Sequence, residues 1–334
     1  MKYFFSRCES PVKQQSERNR LWAARLRVVR IMEGWLRDHV KSDVDADGVS
    51  DVMHVHIMVG KALHPSDDRD ALFTLTPFEN EHMAERLRAP GLCVAFREEL
   101  ARLHQQLVVD TPPAPPTWAE VHPLVESSAG RSQLGRMKTL LELDGHAMDL
   151  VEQVLIGLVL RYTCVGGFDS SALHASVPAS WSQAFQGFTD CFASPMQHVL
   201  PSYHSLLDED SLYFHSKGNF FRGRGSKLPA GCYHMHPPDI PCVHEEIHRI
   251  VQASLPAVTM KIVLVAPSWA AGETIAKKWD RLVTDEADAG FKLEIPRMPL
   301  VHLNGFCLTS PAFVFVVGAF PSRSRLVQFF YQQV

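Results

Sequence analysis

The chain has 334 residues, 46% of them apolar and 21% charged, enough for about two ordinary domains with cores of their own and too apolar for a disordered or fibrous chain. Its formal net charge is −4, so no global basic field draws it to nucleic acid or to an anionic membrane, and any such binding has to be local. No apolar run reaches about 18 residues, which argues against a membrane-spanning helix. The seven cysteines, spread from Cys8 to Cys307, are no disulfide framework for a chain this long, as expected in a reducing compartment.

Residues 1–30 lack an apolar secretory core and are rich in Arg and Lys, as a mitochondrial presequence is, although Glu9 and Glu17 interrupt the pattern. Over 21–40, Trp22, Leu26, Val29, Trp35 and Leu36 recur at helical spacing with Arg25, Arg30 and Arg37 as the wet face, which predicts an amphipathic helix. Asp43, Asp45, Asp47, Gly48 and Asp51 are spaced like a calcium loop. His54 stands where that loop needs a bidentate Glu, so the run reads better as a solvated acidic turn. Helices are predicted over 80–87 and 95–109, the latter with Phe96, Leu100, Leu103 and Leu107 on one side. Pro112, Pro113, Pro115 and Pro116 then remove donors and fix φ, which predicts an extended linker and a domain seam at 111–117. From 134 to 160 the pattern is helical again, with Met137, Leu140, Leu141, Met148, Val151 and Leu155 as core candidates.

Beyond Gly166 and Gly167, β-rich runs at 188–192, 262–265 and 313–317 alternate with longer amphipathic stretches, as strands and helices do in an α/β sheet. The expected organisation is a helical region over 1–110, the linker 111–117, a helical segment 118–160 and a doubly wound α/β domain over 161–334.

Three groups of residues can carry chemistry. Lys217, Arg222, Arg224 and Lys227 lie in a glycine-loosened stretch without acids and interleave with Phe220 and Phe221, a pairing of cations for phosphates and rings for bases that suits single-stranded nucleic acid. Cys232, His234 and His236 share one face if their segment is a strand. His244-Glu245-Glu246-Ile247-His248 matches the zinc-hydrolase pattern, in which two His one helical turn apart hold the metal and the Glu activates water. No Gly and third His follow at the expected spacing, and Glu273 is the one candidate for a third ligand. The plain alternative is a pair of surface histidines on a helix.

Four segments in order, Phe192-Ala193-Ser194-Pro195, Phe214-His215-Ser216-Lys217-Gly218, His236-Pro237-Pro238-Asp239 and Val265-Ala266-Pro267-Ser268-Trp269, resemble the methyltransferase domain of the phosphorylated-CTD-interacting factor family, the cap-specific adenosine N-methyltransferases. Arg161-Tyr162, Gly166-Gly167 and Val177-Pro178 extend the likeness upstream. It implies a nuclear protein, with the mitochondrion as the alternative that the N-terminal composition offers. It also implies a Rossmann-like class I methyltransferase domain preceded by a helical domain, S-adenosylmethionine as cofactor, capped or single-stranded RNA as partner, protein partners besides, and no membrane. Phe192, Ala193, Ser194 and Pro195 would then line the cofactor site, with Asp210 as candidate for the ribose hydroxyls.

The family's fingerprint is Asn-Pro-Pro followed by an aromatic residue. The exocyclic amine of adenine is a poor nucleophile, so an Asn carbonyl and a prolyl carbonyl accept its hydrogens and orient it while the ring stacks on the extruded base. Here Pro237 and Pro238 are kept, His236 replaces Asn, and Asp239 replaces the ring. An imidazole still offers one acceptor nitrogen, but a carboxylate cannot stack and is costly against a buried base. The expectation is therefore a methyltransferase-fold protein of weak or lost activity, with a non-catalytic RNA-binding or assembly protein as the alternative. No tryptophan pair has the surroundings of a WW domain, so the likeness is to a divergent member without that module.

Overall fold

A computed structural model describes residues 10–39, 90–109, 114–125, 128–164, 185–196, 198–221, 227–237, 241–255, 260–267, 270–283, 290–301, 307–318 and 323–332. The calcium-like run Asp43–Asp51 and the helix expected over 80–87 lie outside them. The chain divides into two compact units, Met1–Ser170 and Ser171–Val334.

The first unit is helical: α1 (Pro11–His39), α2 (Pro90–Val109), α3 (Trp118–Val121), α4 (Ser128–Leu143) and α5 (Met148–Cys164). α1 starts ten residues before the apolar periodicity predicts because Ser10 and Pro11 form a start signal: Lys13 N donates to Ser10 Oγ at 3.3 Å, and proline is preorganised for the first turn. Trp22, Leu26, Val29 and Leu36 are buried as expected. Arg25, expected on the wet face, is instead 8% exposed, its guanidinium 4.4 Å from the centre of the Trp22 ring, a cation–π contact that lets its stem be covered. The helical pattern over 134–160 is two helices. Gly145, at φ 80°, takes the left-handed turn that closes α4, its N–H donating to Glu142 O at 3.1 Å and that of His146 to Leu141 O at 3.2 Å, a Schellman motif. The turn brings Met148, expected in the core, out to 58% exposure. The proline segment 114–117 leads into α3 within this unit.

The second unit is a six-stranded sheet of β1 (Thr189–Ala193), β2 (Ser202–Ser205), β3 (Gly231–Met235), β4 (Met260–Pro267), β5 (Phe291–Val301) and β6 (Cys307–Val317), with α6 (Pro241–Ser254), α7 (Ala270–Arg281) and α8 (Arg323–Gln332). Strand order is β2-β1-β3-β4-β6-β5. The first four strands are parallel, and β6 runs antiparallel to both β4 and β5. β4 is central and covered on both faces, so Ile262, Val263, Leu264 and Val265 are all buried and read as a continuous apolar run. One face packs Val263, Val265, Val314 and Val316 against Phe185, Phe291 and Phe330 of α8. On another, Trp279 of α7 lies 6.1 Å from Phe315. β5 escapes the sequence pattern because Pro296 and Pro299 interrupt it; as an edge strand with a register shift between Ile295 and Met298 it tolerates them.

Candidate functional site

The parallel pairs Thr189–Tyr233 and Asp190–His234 bring the carboxyl ends of β1 and β3 out side by side. From β1 the chain crosses to β2 on one side, while β3 lies on the other, so strand order reverses between these two ends. That is where open α/β sheets leave a ligand crevice. Phe192-Ala193-Ser194-Pro195 finishes β1 and His236-Pro237 follows β3 directly. The two segments singled out in the sequence thus meet on one edge, with Pro237 buried and His236 half-buried. Pro238 and Asp239 lie outside the described residues.

Ser194 is 0% exposed, and its hydroxyl has no hydrogen-bond partner. A hydroxyl shut away unpaired costs about 1–3 kcal/mol. Just beyond it His198 N donates to Ser194 O at 2.9 Å, His198 Nδ1 donates to Pro195 O at 3.0 Å, and the His198 ring stacks on Tyr203 at 4.1 Å with an 8° tilt. Tyr203 in turn donates its hydroxyl to Phe214 O, and burial pushes its pKa up, with the Asp210 charge adding to the effect. These clamps hold the turn after β1. His198 and Tyr203 escaped the sequence reading because the stack joins residues from a loop and a strand of no motif.

Asp210, expected at ribose hydroxyls, is 0% exposed within the 3₁₀ helix Asp208–Leu212, near enough to Tyr203 to act on its titration. It is a core acid in this structure. Asp208 is half-buried and accepts from Asn219 N at 2.9 Å.

Phe214-His215-Ser216-Lys217-Gly218 runs along the free side of β2. Lys217 N donates to Tyr203 O at 2.8 Å, Ser205 N donates to Gly218 O at 3.2 Å, and Ser205 and Asn219 form a parallel bridge, so this segment takes the place of a further outer strand. The Lys217 ammonium reaches Thr189 Oγ1 at 3.3 Å, at the amino end of β1 and not at the carboxyl edge. Phe220, expected to stack on a base, is 2% exposed and packs on Phe192 at 5.1 Å and on Phe221 at 5.2 Å. Its ring belongs to the core, whereas Phe221 is half-buried and Lys227 exposed. Arg222 and Arg224 lie outside the described residues. The stretch is pinned at both sides, by Phe221 N on Asn219 Oδ1 at 2.8 Å and by Leu228 N on Ser254 Oγ at 2.7 Å.

His234 Nδ1 stands 3.5 Å from Asp190 Oδ1 without making a hydrogen bond, and Phe185 meets the imidazole ring at 5.3 Å. His244 and His248 are one turn apart on α6, but the zinc-hydrolase geometry is not there. His244 is fully buried, His248 lies edge-on to Trp279 at 5.2 Å, and Glu245, which would have to activate water, faces solvent in an ion pair with Lys278 at 2.5 Å. Among the described residues no three His, Cys, Asp or Glu side chains gather as metal ligands, and no helix is long and apolar enough to cross a membrane.

Residues 136–284 match the family model described as "Phosphorylated CTD interacting factor 1 WW domain". The match spans the second half of α4, and α5, β1 to β4, α6 and α7. No curated protein matches the chain.

Proposed function

Through residues 136–284 the chain belongs to the phosphorylated CTD interacting factor 1 family, and from that premise we propose that it is a nuclear, methyltransferase-related RNA-binding protein. In this reading it keeps an S-adenosylmethionine pocket at the carboxyl ends of β1 and β3 and methylates cap-proximal adenosine weakly or not at all. The observation that carries the reading is the meeting of Phe192–Pro195 and His236–Pro237 at the strand-order reversal, where open α/β sheets bind ligands, with the Ser194 hydroxyl there buried and without a hydrogen-bond partner. The sheet supports it too. With 217–219 counted as an outer strand, parallel strands end in an antiparallel hairpin whose last strand lies inside the edge, the plan of Rossmann-like methyltransferases. The family's name speaks of interaction with a phosphorylated CTD, and protein partners are proposed on that ground alone.

Bound S-adenosylmethionine supplies an electrophilic methyl carried on a sulfonium. The chain's own part is positioning. Ser194 gives the cofactor a hydrogen bond, and the His198–Tyr203 clamp keeps the turn that presents it. His236 accepts one hydrogen of the substrate amine through an unprotonated ring nitrogen and the Pro237 carbonyl accepts the other. Asp239 offers the base no ring. Lost stacking of about 1–3 kcal/mol lowers occupancy by roughly one to two powers of ten. Labelled S-adenosylmethionine with capped RNA tests this. The native chain should transfer little or no label, and His236→Asn with Asp239→Phe should raise transfer. Rapid labelling by the native chain would show that His236 and Asp239 form a working site and overturn the reading of lost activity.

A further inference from the structure

The turn between α4 and α5 holds Leu143 and Met148 far out, at 80% and 58% exposure. Single exposed apolar side chains need no explanation, but these two flank a turn fixed by the Gly145 and His146 amides and sit inside an acidic rim. From Glu142 to Glu152 the chain has four carboxylates, Glu142, Asp144, Asp149 and Glu152, and no Lys or Arg. All four are exposed. Lys138 reaches Glu142 at 3.8 Å, and Arg136 lies two turns behind Leu143 on α4.

α1 offers the complement. Arg27, Arg30 and Arg37 are exposed and have no ion-pair partner among the described residues. At 3.6 residues per turn these three, Ile31 and Gly34 fall within about 120° of the helix circumference, with Gly34 in the middle of the arc. Ile31 is 47% exposed, and Asp38 is the one acid on the arc. A Cβ on Gly34 would meet nothing within 4 Å, so no contact inside this chain requires glycine there, although glycine is unfavourable in a helix interior. It leaves a notch ringed by Arg30, Ile31, Arg37 and Asp38, its neighbours three and four residues away.

We infer that two copies of this chain pair through these surfaces, the Leu143–Met148 turn of each seated over Gly34 and Ile31 of the other and its acids set against Arg27, Arg30 and Arg37. The helices fit a reciprocal contact. Asn19 Nδ2 donates to Gln153 O at 2.8 Å and Cys164 Sγ to Trp22 O at 3.8 Å, so α1 and α5 run side by side in the same direction. The acidic turn is then at the amino end of α1, about 30 Å along the helix from Gly34. A two-fold axis crossing α1 midway brings each turn to the other copy's notch, and both contacts form at once. The arginines alone would suit any polyanion; the notch among them, with an acidic apolar knob on the same unit, favours a second copy. The inference does not depend on cofactor or RNA binding.

Analytical ultracentrifugation of the full chain over a concentration series, before and after nuclease treatment, tests it. The native chain should dimerise in both samples with a dissociation constant of about 1–100 μM, as suits two small contacts, and raising salt from about 0.1 to 1 M should weaken it several-fold. Arg30→Glu with Arg37→Glu, and separately Asp144→Lys with Glu152→Lys, should each weaken self-association at least about tenfold, because like charges then meet in both contacts. An equal mixture of the two variants should recover a heterodimer about as tight as the native dimer, since opposite charges again meet in both. Gly34→Gln should melt at the native temperature or higher and associate at least about tenfold more weakly, its side chain filling the notch. A native chain still monomeric at about 100 μM, variants that associate as the native chain does, or a mixture that stays monomeric while each variant melts as the native chain does would overturn the dimer. Association lost on nuclease treatment would assign the arginines to nucleic acid and overturn it too.

Discussion

His244 sits in the interior with both ring nitrogens unpaired, and burial holds its pKa down at about 4. Below about pH 6.5 the unfolded chain takes up a proton that the folded chain refuses until about pH 4, so folding stability falls as pH drops through that window and levels off beneath it. The full effect is about 3 kcal/mol. His244→Leu should flatten the dependence of the urea midpoint on pH between about 4 and 6.5 and leave stability at neutral pH equal or higher, since it removes two orphaned nitrogens. A variant with the native pH profile would show that another group titrates there. The same arithmetic of burial explains what single residues disclosed in the sequence and what they hid. Ser194, Pro195, His236 and Pro237 stood out because motif chemistry is local. The burial of Asp210 and Phe220 was hidden, because an acid in a loop and an aromatic beside arginines look exposed until the strands around them are placed.

Helix pairing in the first unit turns on Gly157. A Cβ there would stand 2.5 Å from Asn19 Oδ1 and 2.7 Å from Gln15 Nε2, inside a buried amide network in which Gln15 Nε2 donates to Asn19 Oδ1 at 3.0 Å and Asn19 Nδ2 to Gln153 O at 2.8 Å. Gly157→Ala should therefore lower stability by about 1–3 kcal/mol, read as a lower urea midpoint with the helical content retained. An unchanged midpoint would mean that the amides swing aside without loss. Elements with long apolar periodicity, such as α1 and the middle of β4, were legible in advance. The break at Gly145 was not, because apolar spacing continues on both sides of it and the left-handed turn leaves no mark in periodicity. β2 was missed for the opposite reason: Ser-Tyr-His-Ser is too polar to read as a strand and is held by its neighbours on both sides.

At the scale of the whole molecule, apolar periodicity and the β-rich runs foretold a helical part and an α/β part, and could not order the strands. Order matters most for function, since it alone puts the ends of β1 and β3 together and leaves Ser194 unpaired between them. The native chain and a Ser194→Ala variant can be compared directly, because the variant removes an orphaned hydroxyl in the free protein and a hydrogen bond in the complex. The ligand-free variant should melt at the native temperature or higher. Titration calorimetry with S-adenosylmethionine and with its demethylated product is the decisive measurement. The account predicts saturable binding to the native chain with a matching rise in melting temperature, and affinity reduced about five- to tenfold in Ser194→Ala. Absence of heat and of any thermal shift at millimolar ligand, or equal affinity in the native chain and the variant, would contradict a cofactor pocket at the ends of β1 and β3.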